Sequence, residues 1–280
     1  MKTFALHSDD RLARYDYLSQ LSPDRWAWEF LRRNRRFRRD AATRKEGDIS
    51  QRRAPCEDVR LVRSRVPQTL ADRWGLVFMP DPAQDGYHAD AVWNAFAFSD
   101  QVTVHAIPRV QEERCEIHDR SMREFKVTHI TDAAGREYLL LRKNGQVIQV
   151  RSVGISFLGL EPVRINLTIP DLESYKRRVK LQEAALQVLG EVEIEPAPQW
   201  TKTTQILRNG LVALDALDAG LTRRDIATML YGAERVDAEW DGPSLKHSVR
   251  YLVQKAAALR DGGYMMELLG GELGPVSTVA

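Results

Sequence analysis

The sequence has few of the residues that build disulfide frameworks or metal centres. Cys56 and Cys115 are its only cysteines, which is too few for a disulfide scaffold and fits a reducing compartment. No two histidines stand at the helical spacing that metal ligands use. The best cluster, Cys115 and His118 beside Glu112 and Glu113, lacks the second ligand pair of a structural zinc site. We therefore expect no metal centre.

Long apolar runs and a strong overall charge are missing as well. No apolar run approaches the ~20 residues that cross a membrane, and the N-terminus lacks the apolar core of a signal peptide. The net charge is only +2, so the chain as a whole is not a polycation and its basic character is local. We expect a soluble, cytoplasmic protein that does not contact membranes.

Signatures of catalysis are also absent. The sequence contains no phosphate-binding loop and no dinucleotide fingerprint. The stretch 154–159 is one residue too long for a nucleophile elbow. Acidic pairs such as Asp9-Asp10 are too common to mark a catalytic site. We expect a protein that is not an enzyme, with no catalytic residues, no cofactor and no small-molecule substrate.

The most informative pattern is a run of helices over residues 202–263. Leucines at helical spacing predict a first helix over 203–219, which Gly220 ends. Thr222 then caps a short second helix, with Asp225 at the acidic position of a capping box.

A third helix follows after Gly232 and a connector. Pro243 suits its first turn, and the helix is predicted to extend to about Arg260. Its apolar residues recur at steps of four and three and form a narrow stripe. They are Leu245, Val249, Leu252, Ala256 and Leu259. This is the pattern of an amphipathic helix packed on a core.

The opposite side of the third helix carries groups that contact nucleic acids. It offers fixed cations, a titratable ring and several neutral hydrogen-bonding groups. These residues are Ser244, Lys246, His247, Arg250, Tyr251 and Gln254. Such side chains bind phosphates and base edges in a major groove. The alternative is a plain three-helix bundle with an ordinary solvated charged face.

The second helix and the connector provide further evidence on these two interpretations, which stay open. Arg223 and Arg224 stand at the positive end of the second helix, where they can hold a phosphate. A helix-turn-helix places its last helix in the groove, but its connector has ~3–4 residues, whereas residues 233–242 intervene here. Either Trp240 packs under the corner of an extended variant, or the third helix is not a recognition helix.

The N-terminal region combines tryptophan with arginine. Ser22 and Pro23 start a helix that passes through Trp26 and Trp28 into an arginine cluster. The cluster is Arg32, Arg33, Arg35, Arg36, Arg38 and Arg39. This pattern suits nucleic acid, a docking helix for a protein partner, or a helix packed in its own domain with a solvated basic side. Residues 41–66 are typical of a linker.

The middle of the chain has the pattern of strands. Apolar or alternating runs over 76–79, 102–105 and 163–169 are candidates. Asn144-Gly145 between two apolar runs is a strong hairpin signal. A helix over 172–189 is expected to follow.

We therefore predict an α+β protein of three parts. Residues 1–65 form an N-terminal helical module and its linker. Residues 66–195 form a small antiparallel β region that ends in a helix. Residues 196–280 form a three-helix variant helix-turn-helix that binds DNA.

Two stretches resemble one bacterial family, the FseA-like activators of integrative and conjugative element transfer. Tyr17-Leu18 followed by residues 26–34, read as WAWEFLRRN, resembles their N-terminal module. Residues 222–227, read as TRRDIA, resemble their C-terminal domain, a variant helix-turn-helix also found in small antiactivators. The further residues that carry the second resemblance are Gly232, Trp240, Arg250, Gly262, Gly263 and Tyr264.

The resemblance implies a DNA-binding transcriptional activator of excision and transfer genes. It also implies control by a regulatory protein partner that carries a related domain. We expect double-stranded DNA as the main partner. The alternative is an antiactivator that masks another regulator by protein contact. The two differ in salt response, because phosphate neutralisation makes DNA affinity fall steeply with salt whereas masking relies largely on apolar contacts.

Overall fold

The computed structural model describes residues 12–44, 48–53, 59–110, 125–157, 163–168, 175–176, 178–180, 182–183 and 200–271. Helices stand at both ends of this chain and a sheet lies in the middle. The metal-like cluster of Cys115 and His118, and most of the helix expected over 172–189, lie outside the described residues. None of the helices in the described ranges has the length and apolar character needed to cross a membrane.

Within residues 14–44, the chain contains a 3-10 turn, Asp16–Gln20, and two α-helices, α1 (Pro23–Leu31) and α2 (Arg35–Ala42). The sequence predicted one helix that runs on into the arginine cluster. Instead the chain turns before α2, because the Asn34 carboxamide oxygen accepts the backbone N–H groups of Arg36 at 2.8 Å and Phe37 at 3.1 Å. This cap satisfies two donors that a helix start leaves unpaired.

The described residues in the middle of the chain form one seven-stranded mixed sheet, with a four-residue helix, α3 (Thr69–Asp72), after its second strand. The strands are β1 (Ile49–Arg53), β2 (Val59–Ser64), β3 (Val102–Pro108), β4 (Lys126–Thr131), β5 (Glu137–Lys143), β6 (Gln146–Gly154) and β7 (Val163–Thr168). Their order is β1-β2-β4-β5-β6-β3-β7. Strand β2 pairs with β4, and β3 with β6, in parallel, while the other pairs are antiparallel.

The predicted small, antiparallel β region is therefore wrong. Strands β1 and β2 come from the arginine-rich segment that the sequence indicated as a linker. Strand β1 lies at the sheet edge, and its last three residues are exposed. An edge strand that buries little has no apolar face, so the usual alternation of apolar and polar residues is missing.

The local strand signals gave mixed results. Asn144 and Gly145 connect β5 to β6 with positive φ angles of 50° and 79°, which confirms the predicted hairpin, since this turn needs positive φ at both positions. The expected strand over 76–79 is reduced to an isolated bridge between Leu76 and Trp93. The four residues of this run are all buried, so they are apolar because they fill the core rather than because they extend the sheet.

Residues 200–271, the described part of the C-terminal region, contain four α-helices rather than the predicted three. They are α4 (Lys202–Asp218), α5 (Arg223–Tyr231), α6 (Ala233–Glu239) and α7 (Pro243–Ala258). Two π-helical turns follow, Leu259–Gly263 and Met265–Leu269. The predicted connector folds as α6, which buries only Val236 and therefore shows no helical periodicity in the sequence.

The predicted boundaries of α5 are confirmed. The Thr222 hydroxyl accepts the Asp225 backbone N–H at 3.2 Å, and the Asp225 carboxylate accepts the Thr222 backbone N–H at 2.8 Å. Gly220 precedes this cap with φ of 81°, and Gly232 ends the helix with φ of 88°. Glycine reaches these left-handed conformations without the strain that a Cβ causes.

Helix α1 packs between two apolar clusters that join the ends of the chain. Trp26 and Phe30 belong to a cluster with the buried faces of α4, α5 and α7. Trp28 lies in a second cluster with Phe37 and Tyr264. The N-terminal helices and the C-terminal helices therefore share their cores although they are far apart in sequence.

An ionic network reinforces this contact. Arg33 on the turn after α1 is 4% exposed. Its guanidinium binds the Glu29 carboxylate at 2.6 Å and the two carboxylate oxygens of Asp215, on α4, at 2.7 and 2.9 Å. Glu29 is fully buried and also accepts the Tyr17 hydroxyl at 2.8 Å. A two-pronged guanidinium contact fixes orientation as well as distance.

Candidate nucleic-acid interface

Helix α7 presents one face to the core and one to solvent. Its apolar stripe, Leu245, Val249, Leu252 and Ala256, is buried as predicted. Because these residues recur at steps of four and three, the residues between them point away from the core.

All six residues that the sequence placed on the outer side of α7 are exposed. They are Ser244, Lys246, His247, Arg250, Tyr251 and Gln254. Helix α7 contains two lysines and one arginine but no aspartate or glutamate. Its outer face therefore carries positive charge that no acidic residue of the same helix offsets.

The side chains on this face are largely without partners inside the protein. Within the described parts of the chain, the side chains of His247, Arg250 and Gln254 make no hydrogen bond or ion pair. Tyr251 keeps 68% of its surface exposed. Their donors and acceptors are therefore available for a ligand.

Lys246 lies at the flank of this face, beside the connector. Its ammonium nitrogen is 5.8 Å from the ring centroid of Trp240. Trp240 is itself half-buried and packs against the core cluster shared by α4, α5 and α7. Of the two alternatives for the connector, the contact of Trp240 with the core agrees with the extended variant.

Arg223 and Arg224 are exposed at the start of α5. Arg224 forms an ion pair of 2.9 Å with Asp237 on α6, so part of its charge is offset. The Asp225 carboxylate already occupies the start of α5, and its hydrogen bonds with Thr222 lower its pKa. A phosphate at this helix end therefore meets a competing negative group.

Acidic residues are concentrated on α6. Four exposed acids lie on or just after α6. They are Glu234, Asp237, Glu239 and Asp241. Asp237 is paired with Arg224 and Glu239 with Arg235, at 2.9 and 3.2 Å, so part of this negative charge is offset.

The N-terminal arginine cluster divides into two groups. Arg33 is buried, and Arg32 forms an ion pair of 2.7 Å with buried Glu29. Arg35 is exposed and forms an ion pair of 3.0 Å with Asp218. The remaining three arginines, Arg36, Arg38 and Arg39, are exposed on α2.

Sequence reasoning missed a further member of the exposed group. Arg36, Arg39 and Asp40 of α2 meet Arg73, which follows α3, around a concavity of about 260 Å³. In the sequence Arg73 precedes a tryptophan and is not part of an arginine cluster, and only the fold brings it close to α2. No local signal pointed to it.

Two family models match separate parts of the chain. Residues 168–269 match a family described as "T6SS, Transcription factor, DNA binding domain". Residues 10–79 match a family described as "Proteobacterial transcriptional regulator-like domain". No curated protein matches the chain.

The two matches indicate a DNA-binding transcriptional regulator with DNA as its partner. They suggest a role in gene regulation rather than catalysis. The first match contains all of α4 to α7, and the second contains α1, α2 and Arg73. The two matches therefore support a resemblance to DNA-binding transcriptional regulators in general.

Proposed function

We propose that this regulator reads double-stranded DNA with the outer face of α7 and activates the excision and transfer genes of a mobile element. The observation that carries the DNA-reading part is the α7 face itself. It presents cations and hydrogen-bonding groups without an acid on the same helix, inside the region that matches a DNA-binding family.

The chemistry of the face fits direct readout of bases. An arginine such as Arg250 can bind the two acceptor atoms of guanine, and a glutamine such as Gln254 can bind adenine in the same two-point manner. They are four residues apart, so they lie one above the other on the helix. Ser244, Lys246, His247 and Tyr251 extend the contact along the groove.

Phosphate contacts are assigned to the two arginines at the start of α5. Arg223, which has no ion-pair partner within the described residues, is free to bind a phosphate directly. Arg224 must give up or share its contact with Asp237. Arg36 and Arg39, which are exposed on α2, form a secondary basic patch that adds affinity without adding sequence preference.

The activator role and the mobile-element targets rest on the resemblance of residues 17–34 and 222–264 to FseA-like activators. An antiactivator with the same C-terminal domain would instead use this face to cover another regulator. The polar, cationic character of the α7 face favours DNA, because the buried cores of protein interfaces are depleted in charged residues.

The test is a selection from a random duplex DNA library with the full-length protein, followed by affinity measurements over a salt series. Because a reader of bases enriches a motif, we expect one sequence family to emerge. Its affinity should fall linearly with the logarithm of salt concentration. Enrichment of no motif, together with salt-insensitive capture of a second regulator, would favour the antiactivator.

A further inference from the structure

We infer that the concavity bounded by Arg36, Arg39 and Arg73 is a binding site for a phosphate group. This site is separate from the α7 face, and its occupant is either a phosphate of the DNA backbone or a free phosphorylated small molecule. Neither family match assigns it. It does not depend on α7 reading DNA.

The lining of the concavity is positively charged. Three guanidinium groups and one carboxylate, that of Asp40, line a concavity of about 260 Å³. Within the described residues, none of these three arginines forms an ion pair with Asp40 or with any other acid. The lining therefore has a net charge of +2, which matches the one to two negative charges of a phosphate group near neutral pH.

Asp40 is held by a partner other than the three arginines. The indole N–H of Trp74 donates to one Asp40 carboxylate oxygen at 2.9 Å. Asp40 therefore has a structural reason to be in the wall that does not involve the arginines. If the role of Asp40 were to neutralise the guanidinium groups, its carboxylate would lie within ion-pair distance of them. It does not.

Aromatic packing joins the two walls of the concavity. The Phe37 ring packs edge-on against Trp28 at 5.5 Å and against Trp74 at 5.7 Å between ring centroids. The Arg73 guanidinium lies over the Trp74 ring, 5.6 Å from its centroid. The buried aromatic column holds α2 and the segment that follows α3 together, so the two walls of the concavity keep a fixed spacing. A preformed site has less ordering cost when its ligand binds.

The spacing of the arginines on α2 separates those of the concavity from Arg38. Arg36 and Arg39 are three residues apart and therefore stand on one side of the helix. Arg38 is also exposed, but its guanidinium donates to the Arg32 carbonyl oxygen at 2.7 Å and is not part of the concavity. Arg38 therefore provides a matched control with the same charge, on the same helix, outside the site.

The experiment uses the full-length protein and sodium pyrophosphate as the probe, with ionic strength held constant by sodium chloride. Trp74 lies at the wall of the site, so tryptophan fluorescence reports on binding. The test variant carries both Arg39→Gln and Arg73→Gln, and the control is Arg38→Gln. Thermal melting first confirms that both variants fold like the wild type.

We expect saturable binding of pyrophosphate to the wild type and to the Arg38→Gln control, with at least tenfold weaker binding in the double variant. A salt series with duplex DNA then identifies the source of the phosphate. If DNA supplies it, the double variant has a shallower salt slope than the control, by about one. If a small molecule supplies it, the slopes agree and pyrophosphate leaves DNA affinity unchanged.

Two results would overturn the inference. One is pyrophosphate binding that is absent, or equal in the double variant and the control, together with identical DNA salt slopes. The other is an equal loss of binding in both variants, which would show general charge attraction. Because the pyrophosphate measurement contains no DNA, a failure of α7 to read bases would not be mistaken for a failure of this site.

Discussion

Replacement of Arg33 by alanine tests whether the two ends of the chain depend on each other. Arg33 makes four hydrogen bonds: to the Glu29 carboxylate, to the Glu29 carbonyl oxygen, and two to Asp215. Removing one partner from a buried ion pair typically costs ~3–5 kcal/mol, because the remaining charge stays buried without compensation.

The structure indicates that the loss of stability caused by Arg33→Ala lies at the lower end of this range. Fully buried Glu29 keeps its ion pair with Arg32 at 2.7 Å. Asp215 keeps the hydroxyl of Tyr15, which donates to it at 2.8 Å. Neither carboxylate is therefore left without any partner. We expect a loss of about 3 kcal/mol, which corresponds to ~6–12 °C in the melting temperature of a protein of this size.

The assay is thermal and denaturant unfolding, followed by far-ultraviolet circular dichroism and tryptophan fluorescence. Arg38→Ala is the control, because it removes an exposed arginine of the same segment and should stay within ~0.5 kcal/mol of the wild type. If Arg33→Ala melts together with Arg38→Ala, the Arg33–Asp215 contact does not couple the N-terminal helices to α4, and the reasoning fails.

Three further predictions follow from the same packing. Trp240→Ala should lower stability by about 3 kcal/mol, since it empties a half-buried site against the core; unchanged melting would mean that the ring does not anchor the connector. Burial raises the pKa of Asp215, but the hydrogen bonds from Arg33 outweigh it, so the pKa lies below its ordinary value of 3.8. The stability difference between wild type and Asp215→Asn should therefore be full at neutral pH, begin to shrink near pH ~4, and be lost as the pH falls through the lowered pKa of the folded state. A difference that does not shrink in acid titrations would contradict this assignment. A fragment of residues 200–271 should lack a cooperative transition, because Trp26 and Phe30 complete its core; a sharp melt would show that it folds alone.

The last of these predictions changes how the N-terminal region can be tested. From the sequence, the arginine cluster is a separable patch on a helix, and truncation near residue 65 would isolate it. In the structure α1 supplies core residues to the C-terminal helices, so truncation would disturb the α7 face as well. Point substitutions on α2 are the cleaner experiment.

The sequence predicted the features whose causes are local. The capping box of Thr222, the glycine ends of α5 and the Asn144-Gly145 turn are each fixed by residues a few positions apart. The outer face of α7 was predictable for the same reason, since a narrow apolar stripe determines which side chains point away.

The features that were missed depend on distant contacts or on weak burial. The parallel pairs β2–β4 and β3–β6 join strands that are far apart in the chain, and no local pattern encodes them. Helix α6 buries one residue and so leaves no periodic trace. The burial of Arg33 did have a local signal, its i,i+4 spacing from Glu29, but Asp215 and Arg73 become neighbours of the cluster only through the fold.

The most direct test of DNA reading by α7 is the affinity of wild type and Arg250→Ala for the selected DNA site and for its single base-pair variants. Lys255→Ala is the control, because Lys255 lies on the same helix but is already paired with Glu267. We expect Arg250→Ala to lose about 1–3 kcal/mol on the selected site and to lose discrimination at one base pair only. Equal affinities for Arg250→Ala and Lys255→Ala, with discrimination intact at every base pair, would contradict the account.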